Sequence, residues 1–305
     1  MAQTRGQIPA LYDNVDKVMW TLTKSTLKEL KPIWKGYYRV ESSTKKFERR
    51  TSYALFTSTP LKGEGEDYSV QSMDQGYTKD FTHLEFGLAC EYTQTAEEDD
   101  QYGVLSEYAT GLARASRFTQ ETYAARTFNL GFSGGSETTP DGLSIYNASH
   151  TLVKGGTGSN LISQDFSRVA LENALTLART DSKTDEGYFI TPPSGYILEV
   201  PPALEFLAHR VVNSSGLPGS ADNDVNPIKA RYGITITVNP HISDSDSWRL
   251  IAKNKMHGLL SYTRQGITMQ PPVKLERSGN RLYKIRFRQS WGCDRWQGLI
   301  ASPGA

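Results

Sequence analysis

The segment "EEDDQYGVLSEYATGLARASRFTQETYAARTF", Glu97 to Phe128, constrains the fold more than any other part of the chain. It is rich in Ala, Leu, Arg and Glu, with acids at its start and Arg114, Arg117 and Arg126 later, the polarity a helix dipole favours. At 1.5 Å per residue, about 30 residues make a rod of roughly 45 Å. Val104, Tyr108, Gly111, Ala115 and Phe118 recur at three- and four-residue spacing and are widened by Leu105, Ala109 and Leu112, which predicts the buried stripe. Small residues on that stripe imply close packing against a sheet or a second rod.

The rod is preceded by "STPLKGEGEDYSVQSMDQGYTKDFTHLEFGLACEYTQ", Ser58 to Gln94, with turn formers at Gly63, Gly65 and Gly76. Tyr77, Phe81, Leu84, Phe86 and Leu88 then lie in a β-favouring run, so the segment reads as a long two-stranded excursion with a polar tip. An isolated hairpin is marginal in water and its edges carry unpaired backbone groups. Its partner is expected on another subunit, the alternative being a hairpin docked on its own domain.

Elsewhere the periodicities are shorter. Leu11, Val15, Val18, Met19 and Leu22 predict an N-terminal helix stopped by Lys31-Pro32, and "SQDFSRVALENALTLART" predicts another that buries Val169, Leu171, Ala174, Leu175 and Ala178. "GYILEV", "GITITVNP" and "WRLIAKN" read as strands, and "PPALEFLAHRVVNSSG" as a helix opened by Pro, with Leu204, Leu207, Ala208 and Val211 on one face. In "RLYKIRFRQS", Tyr283, Ile285 and Phe287 alternate with Lys284, Arg286 and Arg288, giving a strand apolar on one side and cationic on the other. That cationic side either faces water or meets acidic neighbours or nucleic acid. The mixture of segments gives an α+β class.

Net charge is +1, so no global field would gather nucleic acid or an anionic membrane. No stretch has the length of a membrane span, and the first twenty residues lack an apolar signal core, so the expected place of synthesis is a reducing cytosol. Cys90 and Cys293 stand far apart and read as two reduced thiols. His83, His150, His209, His241 and His257 show neither an i, i+4 pair nor HExxH, so no metal ligands are assigned, and no cofactor.

Two motifs invite a catalytic reading. "GFSGG" fits G-x-S-x-G and would make Ser133 a nucleophile, with His150 and Asp141 among its possible partners. That pattern works as a sharp turn from a buried strand into a helix, whereas here a helical segment precedes Ser133 and "SETTPDG" follows it. "KGGTGSN" has glycines, but its Lys154 comes before them and the G-K-[ST] ending is missing, so a loop-shaping role fits better than phosphate binding. No catalytic residues are assigned; a serine hydrolase using Ser133 is kept as an alternative.

"GYTKDFTHLEFGLACEYTQTAEEDDQYG", "PDGLSIYNASHTL" with "GSNL", and "GYILEVPPALEFLAHRVVNS" followed by "ITVNPHI" and "SWRLIA" form an ordered set. In order and spacing, from about Gly76 to the end, they resemble the major capsid proteins of tailed bacteriophages, and more narrowly the Mu-like major head subunits. The resemblance implies a non-enzymatic subunit of an icosahedral shell, built as hexamers and pentamers around double-stranded DNA, made in the host cytoplasm and residing in the virion. It implies an N-terminal arm and the start of a peripheral domain at 1–57, an extended loop at 58–94, and a peripheral domain at 95–186 with its spine helix at 97–128. An axial domain would span 187–272 and a return strand 273–305. Implied partners are a separate scaffolding protein, a portal, in some heads a decoration protein, and packaged DNA touched without sequence preference through Lys284, Arg286 and Arg288 or the spine arginines. No membrane partner is implied. Some relatives weld subunits through a Lys to Asn isopeptide bond, for which Lys79 is the candidate lysine here. Another oligomeric phage component or a cage protein is the remaining alternative.

Overall fold

The computed structural model describes residues 8–93, 95, 104–135, 137–190, 195–216, 225–253 and 256–305. In chain order they form helix α1 (Ile8–Glu29), a 3-10 turn (Trp34–Gly36) and strands β1 (Arg39–Ser42), β2 (Phe47–Ala54), β3 (Asp74–Thr82) and β4 (Leu84–Tyr92). Helix α2 (Val104–Asn129), the short strands β5 (His150–Thr151) and β6 (Thr157–Gly158), and helix α3 (Arg168–Thr180) follow. The rest comprises β7 (Tyr196–Val200), α4 (Glu205–Asn213), α5 (Pro227–Arg231), β8 (Thr235–Val238), β9 (Trp248–Ala252), β10 (Leu259–Lys274), β11 (Arg281–Cys293) and β12 (Leu299–Ser302). The acidic quartet Glu97–Asp100, and with it the expected start of the long helix, lies outside the described residues.

One sheet has the order β1-β10-β11-β4, with β1 parallel to β10 and the other pairs antiparallel. The alternation in β11 does what its period implies: Tyr283, Ile285 and Phe287 are buried. Tyr283 and Ile285 pack with Met19 of α1 and with Ala109 and Leu112 of α2. α1 therefore ends where Pro32 requires and buries Met19, but Val18 is exposed, and the side chains of Leu11 and Val15 lie outside the described residues.

The buried face of α2 differs from the predicted stripe. Of the predicted stripe Ala109 and Leu112 are buried, but Tyr108 and Phe118 are 42% and 64% exposed and Gly111 is exposed, and the buried face continues through Ala113, Ser116, Gln120, Glu121, Ala124 and Phe128. Gln120 and Glu121 lie outside an apolar pattern, and they are buried because both are partnered. The Glu121 carboxylate accepts hydrogen bonds from the backbone amides of Ile33 (2.7 Å) and Trp34 (3.4 Å), and Gln120 donates to Gln289 at 2.8 Å. Satisfying those polar groups turns the helix away from the purely apolar stripe. A smaller difference of the same kind occurs in α3, where Ala170 is buried in place of Val169, which is 53% exposed.

In the second sheet, β12-β9-β7-β8, strands β12, β9 and β7 are buried on both faces, as apolar runs without alternation should be, and the edge strand β8 is only half-buried. Leu198, Val200, Trp248 and Leu250 pack with Leu171 and Leu175 of α3 and Ala208 and Val211 of α4. Ile251, Leu299 and Ala301 face Trp34, Tyr37 and Phe128. On that side Glu199 and Arg249, cross-strand neighbours in β7 and β9, form an ion pair with no exposure at either side chain. The Arg249 guanidinium lies over Tyr37 and Phe128, at 5.1 and 4.8 Å from their ring centroids, and donates to the Tyr146 hydroxyl at 3.0 Å. One buried cation thus ties the second sheet to α2, the 3-10 turn and the loop after α2. Sheet membership does not follow the expected break at residue 272: β10 starts at Leu259 in the first sheet, and β12, beyond 273, completes the second.

Candidate assembly surface

The two-stranded excursion exists, displaced towards the N-terminus. β2 pairs with β3 from Phe47↔Thr82 to Ala54↔Asp74, and β4, expected in the excursion, belongs to the first sheet beside β11. The ladder begins before Ser58 because "FERRTSYA" supplies the outgoing strand, a run whose charges hid it; Arg49 pairs bidentately with Asp80 across the ladder at 2.7 Å.

The root of this hairpin is fastened to its own chain. Tyr77 and Thr151 share a hydroxyl hydrogen bond of 2.8 Å, and the Lys79 ammonium donates to the Thr138 carbonyl and hydroxyl at 2.8 and 3.1 Å. Lys154 donates to the Ser72 carbonyl at 2.8 Å and pairs with Asp74. On the other side the Leu55 amide donates to Glu186 and the Tyr188 hydroxyl to the Phe56 carbonyl, both at 2.8 Å. The loop "SIYNASHTLVKGGTGSNL" is therefore the seat of the hairpin. Its Gly155 and Gly156 adopt φ of 95° and 91°, turning the chain so that Lys154 reaches the hairpin. Beneath the root lies a polar cavity of about 360 Å³ lined by Arg39, Arg50, Asp185, Glu186, Asp294 and Arg295.

Past Thr57 the strands part. Leu61, Tyr68 and Val70 are 99%, 83% and 93% exposed. A turn closed by the Gly63 amide donating to the Glu66 carboxylate (2.9 Å), with φ of 80° at Gly65, forms the end of the loop. Leaving three large apolar side chains of one loop in water is unfavourable for a free subunit, and exposed apolar surface of that kind marks contact surfaces.

The catalytic motifs do not assemble. Ser133 follows the C-terminus of α2 and donates to the Leu130 carbonyl at 3.3 Å, ahead of Gly134 and Gly135 with positive φ. His150 is buried, with Nδ1 2.6 Å from the Asp141 carboxylate and its ring stacked on Trp296 at 4.8 Å. Among the described residues its Nε2 has no hydrogen-bond partner. Burial alone would raise the Asp141 pKa; hydrogen bonds from His150 and Thr139 outweigh it and hold the carboxyl below its usual range. The His150–Asp141 pair braces the loop that seats the hairpin, and among the described residues no hydrogen bond joins it to Ser133, so nothing supports the hydrolase alternative. His83 lies between the Ser290 and Ser43 hydroxyls at 3.1 and 3.0 Å, and burial pushes the Cys293 thiol up to about 12.

The cationic face of β11 is partly answered within the chain. Arg286 and Arg288 both approach Glu85, at 3.6 and 3.7 Å, and Arg286 donates to Gln265. Among the arginines of α2, Arg117 donates to the Leu27 carbonyl at 3.0 Å and Arg126 approaches Glu137 at 3.7 Å. The pair the sequence reading missed is Glu199–Arg249. Its signal was a lone acid in "YILEV" and a lone base in "WRLIA", opposite charges in otherwise apolar strands.

The fold is shared with solved capsid structures. The capsid of cyanophage P-SCSP1u superposes with a TM-score of 0.59 over 88% of this chain and 86% of the other, at 11% identity. Gordonia phage Cozz gives 0.56, 90%, 87% and 12%, and a virus-like particle from Pyrococcus furiosus gives 0.55, 94%, 98% and 10%. No curated protein matches the sequence. The profile of the phage capsid protein family, however, matches residues 76–302, from the hairpin's return strand through β12, and the chain belongs to that family.

Proposed function

We propose that this capsid protein is the major head subunit of a tailed phage and that its copies gather as hexamers and pentamers into an icosahedral shell around double-stranded DNA. The observation that carries this is the hairpin, fastened at its root and holding Leu61, Tyr68 and Val70 in solvent at its tip, which gives every copy a projection suited to a neighbouring copy. Many modest contacts of that kind multiply into a stable closed shell. In this reading β2, β3 and the tip are the extended loop, α2 is the spine of the peripheral domain, and α1 with the segment to about Arg50 is the arm. The sheet of β7, β8, β9 and β12 with α3 to α5 is the axial domain, and β11 is the return strand.

The subunit is made in the host cytoplasm and assembles with a separate scaffolding protein, a portal and, in some heads, a decoration protein. Contact with packaged DNA is electrostatic and independent of sequence. The in-chain partners of Arg286, Arg288, Arg117 and Arg126 direct that contact to Lys284 and the exposed Arg114. A cage without a genome is the second reading, favoured by the likeness to a virus-like particle. Electron microscopy of purified chain, with and without the scaffolding partner, tests the proposal. Closed shells with six- and fivefold clusters are expected, and monodisperse monomers at high concentration in both conditions would overturn it. Shells isolated from phage-producing cells without DNA would favour the cage.

A further inference from the structure

The outer face of α1 is a row of cations. Lys17, Lys24 and Lys28 recur at seven- and four-residue spacing, which at about 100° per residue puts them within an arc of roughly 40°, opposite the buried Met19, Thr23 and Thr26. Lys31 and Lys35 follow just past the helix, and all five lysines are exposed. Between Lys17 and Lys35 the only acid is Glu29, about 120° away from the row. Lys24, Lys28 and Lys31 form no ion pair with a described residue, whereas Arg286, Arg288 and Arg126 each approach a carboxylate of their own chain. Trp20 lies at the edge of the row, 48% exposed, with the Lys24 ammonium 3.3 Å from its ring centroid. A groove of about 400 Å³, lined by Leu22 of α1 and by Thr110 and Arg114 of α2, puts the exposed Arg114 on the next ridge.

A straight row of cations without acids suits a ligand whose negative charge is dense and evenly spaced. Over the roughly 17 Å from Lys17 to Lys28 a DNA duplex presents about ten phosphates, so every ammonium finds one in reach whatever the register. An acidic protein segment would need its carboxylates at matching intervals. Lysine heads are point charges on flexible stems, and an exposed cation–π contact is weak enough for Lys24 to exchange the Trp20 ring for a phosphate. We infer that this face of α1 is a seat for the phosphate backbone of duplex DNA, with Lys17, Lys24, Lys28 and Lys31 along the backbone, Arg114 beside them and Trp20 against the sugars. The inference rests on the shell reading and deepens it by naming the surface that meets the genome. Binding there is independent of sequence and weak for one subunit, and many copies in a closed shell multiply it.

The test is fluorescence anisotropy of a labelled short duplex of mixed sequence, titrated with the full chain at several salt concentrations. Lys24→Gln with Lys28→Gln is expected to weaken binding about tenfold at low salt and to reduce the slope of log affinity against log salt by about two, since each phosphate contact contributes about 0.9. Lys46→Gln with Lys62→Gln removes the same charge from the hairpin and is expected to leave the slope unchanged. An unaltered slope in the α1 variant, or an equal loss in the hairpin variant, would overturn the inference. Acrylamide quenching gives a second reading: bound duplex is expected to shield Trp20, a change absent from Trp20→Phe, while Trp34, Trp248 and Trp296 are buried with or without DNA. Unchanged quenching with duplex bound would also overturn it. Polyglutamate bound as tightly as the duplex, with the same loss in the α1 variant, would give the face to an acidic protein and refute the inference. Particle formation is scored separately by electron microscopy. A chain that forms shells but does not hold DNA at α1 refutes this inference alone, and a chain that forms no shells refutes the shell reading.

Discussion

At the root of the hairpin, Asp74 and Tyr77 have partners on the loop beneath and Lys79 has one at Thr138 just before it, whereas at the tip Leu61, Tyr68 and Val70 are at least 83% exposed. The same two-stranded element thus changes within a few residues from a part of the subunit into a projection away from it. The difference separates two demands on the sequence. The root and the sheets below it must hold one shape alone, and the root's Asp74, Tyr77 and Lys79 find their partners within the chain. The tip carries apolar surface that the isolated subunit leaves uncovered.

That division is broken most severely at the buried ion pair. Glu199→Gln leaves the Arg249 guanidinium buried without its counter-charge, a change expected to cost about 3–5 kcal/mol by chemical denaturation. Retained stability would show that the body does not depend on this joint. On α2, Leu112→Ala is expected to cost about 2–4 kcal/mol. Tyr108→Asp, on the exposed side, should stay within about 0.5 kcal/mol, and the reverse ranking would put Tyr108 on the buried face.

His257 sharpens the comparison through pH. Burial, then the nearby Arg39 and Arg295, push its pKa down to about 3, and its Nδ1 accepts the Leu259 amide at 3.2 Å, so the ring is held neutral. The unfolded chain binds a proton below about pH 6.5 that the folded one refuses until about pH 3, so stability falls as pH drops through that window. Between pH 7 and pH 5 the loss is about 2 kcal/mol. His257→Gln should flatten the profile, measured by denaturant titration at each pH, and an unaltered slope would assign it elsewhere. The smallest effect on folding belongs to deletion of Lys62–Asp67. Unfolding should shift by no more than about 0.5 kcal/mol while particles fail to form, and normal particles would show that the tip is dispensable.

Much of the fold could be read from periodicity, where packing alone decides. The alternation of Tyr283, Ile285 and Phe287 and the apolar runs "GYILEV" and "WRLIA" placed strands correctly because one or both faces meet the core. The readings that failed involve polar groups with distant partners. Glu121 is buried because Ile33 and Trp34, far away in sequence, present their amides to it, and no local pattern encodes that. The outgoing strand of the hairpin hid behind Glu48, Arg49 and Arg50, whose partners Ser43, Asp80, Glu41 and Tyr262 lie on the neighbouring strand, on other strands, or just before β2. His150 looked catalytic in a line of hydroxyls and glycines, and only its stacking on Trp296, far along the chain, shows it as a brace.

The contrast between root and tip is tested most directly by amide hydrogen exchange, measured on free subunits and on assembled particles. The β2–β3 ladder is expected to be protected in both, while residues 58–70 exchange freely in the subunit and become protected in the particle. A tip that exchanges equally fast in both states, beside a ladder protected in both, would contradict the account.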